Sequence, residues 1–195
     1  MCFTVPVFFV VREGKWIPMG DRTFETFLDE GFQGLEATLG DFELHLSTVF
    51  PEVRIKQFLE VRGIDAQSPA LIPAVAAFWK GILYNPEARQ KAWNLVSNVT
   101  KEQRQKLHQD VVKVGMRAKV GGESIFPILK EFVDLSCGSL GKQKSLDEEH
   151  DECLFLSRIR EQIIELEQSP ADLVLEKWRG ELEQRPEKLI QYLSI

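Results

Sequence analysis

Residues 45–69 read HLSTVFPEVRIKQFLEVRGIDAQSP, and the pattern of the chain changes across them. Upstream, β-branched and aromatic residues are punctuated by Gly and Asp, which predicts strands and loops with one short helix over Thr23 to Leu28. Within the stretch, period-two alternation over Val53 to Arg62 predicts one strand. Val53, Ile55, Leu59 and Val61 then share one face, and Arg54, Lys56, Phe58, Glu60 and Arg62 the other. The aliphatic face is expected to pack under helices. The polar face sets a carboxylate beside an arginine two residues on, about 7 Å along the strand.

Downstream the chain reads as helical. Ser68 and Pro69 predict an N-cap with proline at the first helical position, opening a helix over Ala70 to Tyr84 that is apolar almost all round. Asn85-Pro86 starts the next helix, to about Val96, and the Thr100 to Gln103 capping box opens another that reaches Gly115. A basic loop over Gly115 to Gly122, a helix over Ser124 to Cys137 and a mobile Gly, Ser and Lys-rich connection to about Lys144 follow. Two last helices are expected, one from about Asp147 to Gln168 and one capped by Ser169. The fold class is therefore α+β: a strand-rich portion over residues 1–67, with antiparallel strands, and a helical portion over 68–195 packing on its sheet.

At 195 residues and 44% hydrophobic, the chain is long enough to bury a core. A formal net charge of −6 gives no field to attract nucleic acid or an anionic membrane, so neither is expected as a partner. Cys2, Cys137 and Cys153 follow no CxxC pattern. Neither a disulfide framework nor a closed zinc site is expected, and a reducing cytoplasm is the default setting. The apolar run Val5 to Val11 has no basic segment before it and is closed by Arg12 and Glu13; it is too short to span a bilayer and predicts a buried strand. A chain opening inside such a strand is expected to be a piece of something longer.

Glu60 and Arg62 supply what chemistry on a metal-bound polyphosphate needs, a hard oxygen ligand and a planar cation that can hold two phosphoryl oxygens. The same pattern equally describes a half-exposed strand carrying a surface ion pair. The acidic run Asp147 to Glu152 is better read as a solvated helix start than as a metal site. The basic loop Lys113 to Lys119, with Gly121 and Gly122 beyond it, could approach a nucleotide, yet it has no Gly-rich fingerprint after a strand and is weak evidence for one.

Three segments carry a resemblance. VPVFFVVREGKWIPM at residues 5–19, TLGDFELHLSTVFPEVR at 38–54 and FLEVRGIDAQSP at 58–69, the last followed by PAVAAFWKGILYN at 73–85, are similar to the C-terminal half of plant and cyanobacterial glutamate–cysteine ligases. The Glu-x-Arg element more distantly resembles that of glutamine synthetases. Ser47 stands where the family usually has Thr, keeping a hydroxyl. The resemblance is close over about the first 85 residues and weaker beyond.

The resemblance implies part of a glutamine-synthetase-like sheet and ATP-dependent, Mg2+-assisted joining of glutamate to cysteine, the first step of glutathione synthesis. Matched residue by residue, Glu60 would bind the metal and Arg62 the ATP phosphates. Arg54 would contact the glutamate α-carboxylate or a phosphate, or else pair with Glu52 or Glu43. His45 and Thr48 would line the glutamate pocket, although a satisfied core histidine is the plainer reading of His45. The family's other metal-binding carboxylates precede the position where this chain begins, so a missing N-terminal half is an expected partner. Two other readings stay open: a non-catalytic interaction or regulatory domain of ligase ancestry, and a carboxylate–amine ligase acting on another amine.

Overall fold

The computed structural model describes residues 2–143 and 152–194. The chain divides into two compact units, Met1–Ala66 and Gln67–Ile195.

The first unit is built from two small hairpins and two helices. Strands β1 (Phe9–Arg12) and β2 (Lys15–Pro18) pair antiparallel with Val10 opposite Ile17. Their two-residue turn places Glu13 at φ 52° and Gly14 at φ 75°, the left-handed pair that matches strand twist. Thr23 caps α1 (Phe24–Glu30), and a reciprocal capping box between Thr38 and Asp41 starts α2 (Leu39–Thr48). Val7, Val10, Met19, Phe24 and Phe27 form the core, with Phe32, Leu35 and Phe42 packed against it. The buried strand expected over Val5 to Val11 is thus confined to its second half, while Val7 reaches the core from outside any strand.

The single strand expected over Val53 to Arg62 is instead a hairpin, β3 (Val53–Ile55) and β4 (Leu59–Val61), folded back through Lys56 to Phe58. Alternation alone does not tell the two apart, because an odd-numbered turn keeps the parity of the faces. Arg54 lies opposite Glu60, and Arg62 two residues beyond stays on their side. The aliphatic face does not reach a core: Ile55 is 81% exposed and Leu59 62%.

The second unit is helical. Its helices are α3 (Ile72–Leu83), α4 (Pro86–Val96), α5 (Lys101–Val114) and α6 (Phe126–Gln143). Helix α3 starts later than Ser68-Pro69 predicts, because Pro73 has no N–H to donate and is tolerated only within the first turn. The Ser68 carbonyl accepts from the amides of Leu71 and Ile72, forming a lead-in turn. The basic loop contains a short hairpin, β5 (Lys119–Val120) with β6 (Glu123–Ser124).

Helix α6 runs on to Gln143, through the segment expected to be a mobile connection. Ser136, Ser139 and Leu140 are buried on its inner face, and that packing outweighs the weak helix preference of Gly138 and Gly141. Gly81 permits a close approach here: a Cβ would collide with the Oγ and backbone of Ser136, whose hydroxyl donates to the Phe78 carbonyl at 2.9 Å.

Of the helix expected over Asp147 to Gln168, residues 147–151 lie outside the described residues. The rest comprises a 3-10 turn (Glu152–Leu156), α7 (Ser157–Ile159) and a π-helical turn (Arg160–Ile164). Ser169 does cap α8 (Pro170–Arg179), and a separate helix α9 (Pro186–Leu193) follows. Cys137 and Cys153 form a disulfide, which corrects the expectation of free thiols. No spacing signal could show it, since it is the return of residues 152–156 onto α3 and α6, around Ala77, Leu140 and Leu156, that brings the two together. No helix among the described residues is long and apolar enough to cross a membrane.

Candidate functional site

The β3–β4 hairpin gathers the charged residues that alternation singled out. Because Arg54 and Glu60 are cross-strand partners, Arg54 Nε donates to Glu60 Oε2 at 2.8 Å. Arg62 Nη1 lies 3.5 Å from the other carboxylate oxygen, so one carboxylate bridges two guanidiniums. The Arg62 amide donates to the Glu52 carbonyl at 2.8 Å, and its guanidinium lies 4.8 Å from the centre of the Phe50 ring. The Arg62 Nε is buried with no hydrogen-bond partner.

The hydrogen bond from Arg54, with the positive charges of Arg54, Arg62 and Lys56, holds the Glu60 carboxyl below its ordinary range. Three cations facing one carboxylate suit an incoming anion, with guanidinium N–H groups available to it. The arrangement does not fit a divalent cation by itself. Among the described residues, no group of three or more His, Cys, Asp or Glu side chains could hold a metal ion.

His45 and Thr48 have other surroundings. His45, on the inner side of α2, is 1% exposed, stacks on Phe24 with ring centres 5.2 Å apart, and bonds through Nε2 to the Cys2 carbonyl at 2.9 Å. Its Nδ1 is buried without a partner. The Thr48 hydroxyl donates to the His45 carbonyl of its own helix at 2.8 Å. Neither side chain is bonded to the hairpin cluster.

A second charged pair escaped the sequence reading. Arg12 of β1 makes a two-pronged bond to Asp41 of α2, both contacts at 2.7 Å, and reaches the Glu36 carbonyl at 3.1 Å. Asp41 is 4% exposed and also accepts from the Thr38 amide and hydroxyl. The Arg12 hydrogen bond, then those of Thr38, pull its carboxyl below the ordinary value against the opposing effect of burial. The available signal was the capping box Thr38-x-x-Asp41, which marks the acid but not its partner 29 residues upstream.

Fold and cluster together define an α+β protein that presents paired arginines on a hairpin, an arrangement suited to binding anions. The family described as glutamate-cysteine ligase family 2 matches residues 2–188. The chain is 32% identical over 183 residues, 92% of its length, to a chloroplastic glutamate–cysteine ligase of Medicago truncatula. It is 30% identical over 192 residues, 97% of its length, to that of Solanum lycopersicum. These matches cover 35% and 36% of the two relatives, so the chain spans about a third of their length. The chain belongs to the glutamate–cysteine ligase family.

The expectation of a cytoplasmic setting is corrected by the same relatives, which are named as chloroplastic, as is that of Arabidopsis thaliana. Cysteine spacing does not report a compartment in this stretch, where Cys137 and Cys153 are joined in a disulfide.

Proposed function

We propose that this chain supplies the C-terminal part of a glutamate–cysteine ligase, which joins the γ-carboxylate of glutamate to the amine of cysteine at the expense of ATP. The observation that carries the reading is the Arg54–Glu60–Arg62 cluster, because the difficulty of such a reaction is bringing a carboxylate anion up to a polyanionic phosphate. Arg62 holds phosphoryl oxygens as the γ-glutamyl phosphate forms, and Arg54 takes either a phosphate or the α-carboxylate. Glu60 keeps the two guanidiniums apart and oriented until the anion arrives. Mg2+, where bound, would screen the phosphates. Glu60 would serve as one ligand only alongside carboxylates from the rest of the protein.

The exposed Val53, Ile55 and Leu59 support a further part of this reading. A two-stranded hairpin is marginal alone, and its apolar face is suited to packing against the remainder of a larger catalytic domain. A chloroplast setting follows the relatives. His45 and Thr48 act here by holding α2 and the Cys2 turn rather than by touching glutamate.

The test mixes the purified chain with the remaining N-terminal portion of the Medicago enzyme, ATP, Mg2+, glutamate and cysteine, following ADP and γ-glutamylcysteine together. Dipeptide is expected only on mixing, and is lost with Arg62→Gln. Dipeptide from the chain alone would overturn the partial-site reading. Undiminished turnover in Arg62→Gln would remove Arg62 from the phosphates, and a mixture that folds together but stays inactive would favour a non-catalytic domain.

A further inference from the structure

Helix α5 and the β5–β6 hairpin enclose a groove of ≈510 Å3 that lies wholly within residues 103–122. Its charge is one-sided. Lys106, Lys113, Arg117 and Lys119 line it against a single acid, Asp110, in a chain whose formal net charge is −6. Lys106 bonds Asp110 at 2.6 Å, and Arg117 reaches Asp172 at 3.3 Å. Lys113 and Lys119 make no ion pair among the described residues. Like charges crowded onto one groove repel one another unless an anion lies between them.

The groove is also shaped. Its lining includes apolar Val114 and Ala118, the latter 1% exposed. Gly121 and Gly122 form its far rim at φ +61° and +93°. A Cβ on Gly121 would come within 3.1 Å of Gln103 Nε2, so the hairpin turn sits close against α5 as only glycine allows.

We propose that this groove binds a phosphate-bearing anion, with Lys113 and Lys119 as its main contacts and Arg117 closing on it. With Lys106 held by Asp110 and Arg117 by Asp172, Lys113 and Lys119 leave two positive charges without a counter-ion, which a doubly charged phosphate group neutralises and a single carboxylate does not. The site is independent of the ligase reading, since none of its residues belongs to the hairpin cluster.

Calorimetric titration of the full chain with inorganic tripolyphosphate at low ionic strength tests it. Saturable binding is expected, weakened about tenfold or more in K113Q/K119Q and retained in K113R/K119R, because the contacts need the charge. The control K15Q/K130Q removes the same charge from two exposed lysines elsewhere and should bind as the parent does. Because Arg62 belongs to the separate hairpin cluster, the K113Q/K119Q comparison is repeated in Arg62→Gln, where the same weakening is expected. Absence of binding, equal weakening in the control, no weakening by K113Q/K119Q in Arg62→Gln, or equally tight binding of citrate would each overturn the proposal. Circular dichroism of each variant verifies that it is folded, and the arginine pair keeps the test decisive if the glutamine pair is not.

Discussion

Removing the Asp41 carboxylate should loosen the whole first unit. In Asp41→Ala, Arg12 loses both of its 2.7 Å contacts, and Thr38 loses the acceptor of its amide and hydroxyl. Breaking a buried ion pair from one side costs about 3–5 kcal/mol. The Arg12 side chain is 29% exposed and regains some water, which favours the lower figure. Loss of the reciprocal half of the capping box adds less than about 1 kcal/mol, since Thr38 still accepts from the residue-41 amide, so about 3–4 kcal/mol is expected in all. Hydrogen exchange read by mass spectrometry on peptides from residues 7–48 should accelerate by at least about a hundredfold, while peptides from α3 and α6 are unchanged. The double variant R12M/D41A should be less destabilised than the sum of the single changes, because no unpaired guanidinium is left behind. Exchange within about threefold of the parent in Asp41→Ala, or additivity in the double variant, would refute this account. The pH dependence has a definite sign. Asp41 titrates below its ordinary value when folded, so its contribution is complete above about pH 4 and is lost as pH falls through the lower folded value.

Arg62→Lys in the reconstituted enzyme keeps a charge but loses the planar fork, so turnover should fall about a hundredfold while the melting temperature moves little; unchanged turnover would remove Arg62 from the phosphates. Gly81→Ala forces a Cβ onto Ser136 and should cost about 1–3 kcal/mol in urea unfolding of the second unit; a neutral result would mean that α3 and α6 are not in such close contact. Reduction, or Cys137→Ser, opens a link between residues 16 apart and should lower stability by about 3 kcal/mol, read as a fall in melting temperature that a reductant does not deepen in the variant. His45→Ala should destabilise α2 by about 2 kcal/mol, since it removes a buried hydrogen bond and a ring stacked on Phe24.

Local chemistry made much of this chain legible from residues alone. The capping box at Thr100 and the Asn85-Pro86 and Ser169-Pro170 starts are settled by hydrogen bonds within a few residues of one another, so sequence order is enough to place those helices. The same holds for the shared side of Arg54, Glu60 and Arg62, which rests on strand parity and survives the change from one strand to a hairpin. Other features depend on partners that sequence order does not bring close. Arg12 finds Asp41 because β1 lies on α2, and Cys137 finds Cys153 because residues 152–156 return to a helix that packing carries past its glycines. His45 turned inward because the Cys2 carbonyl and the Phe24 ring wait at its site. Caps and turns are short-range and are written locally. Ion pairs, disulfides and the choice between core and surface are set by which distant elements meet, and only the tertiary structure decided those.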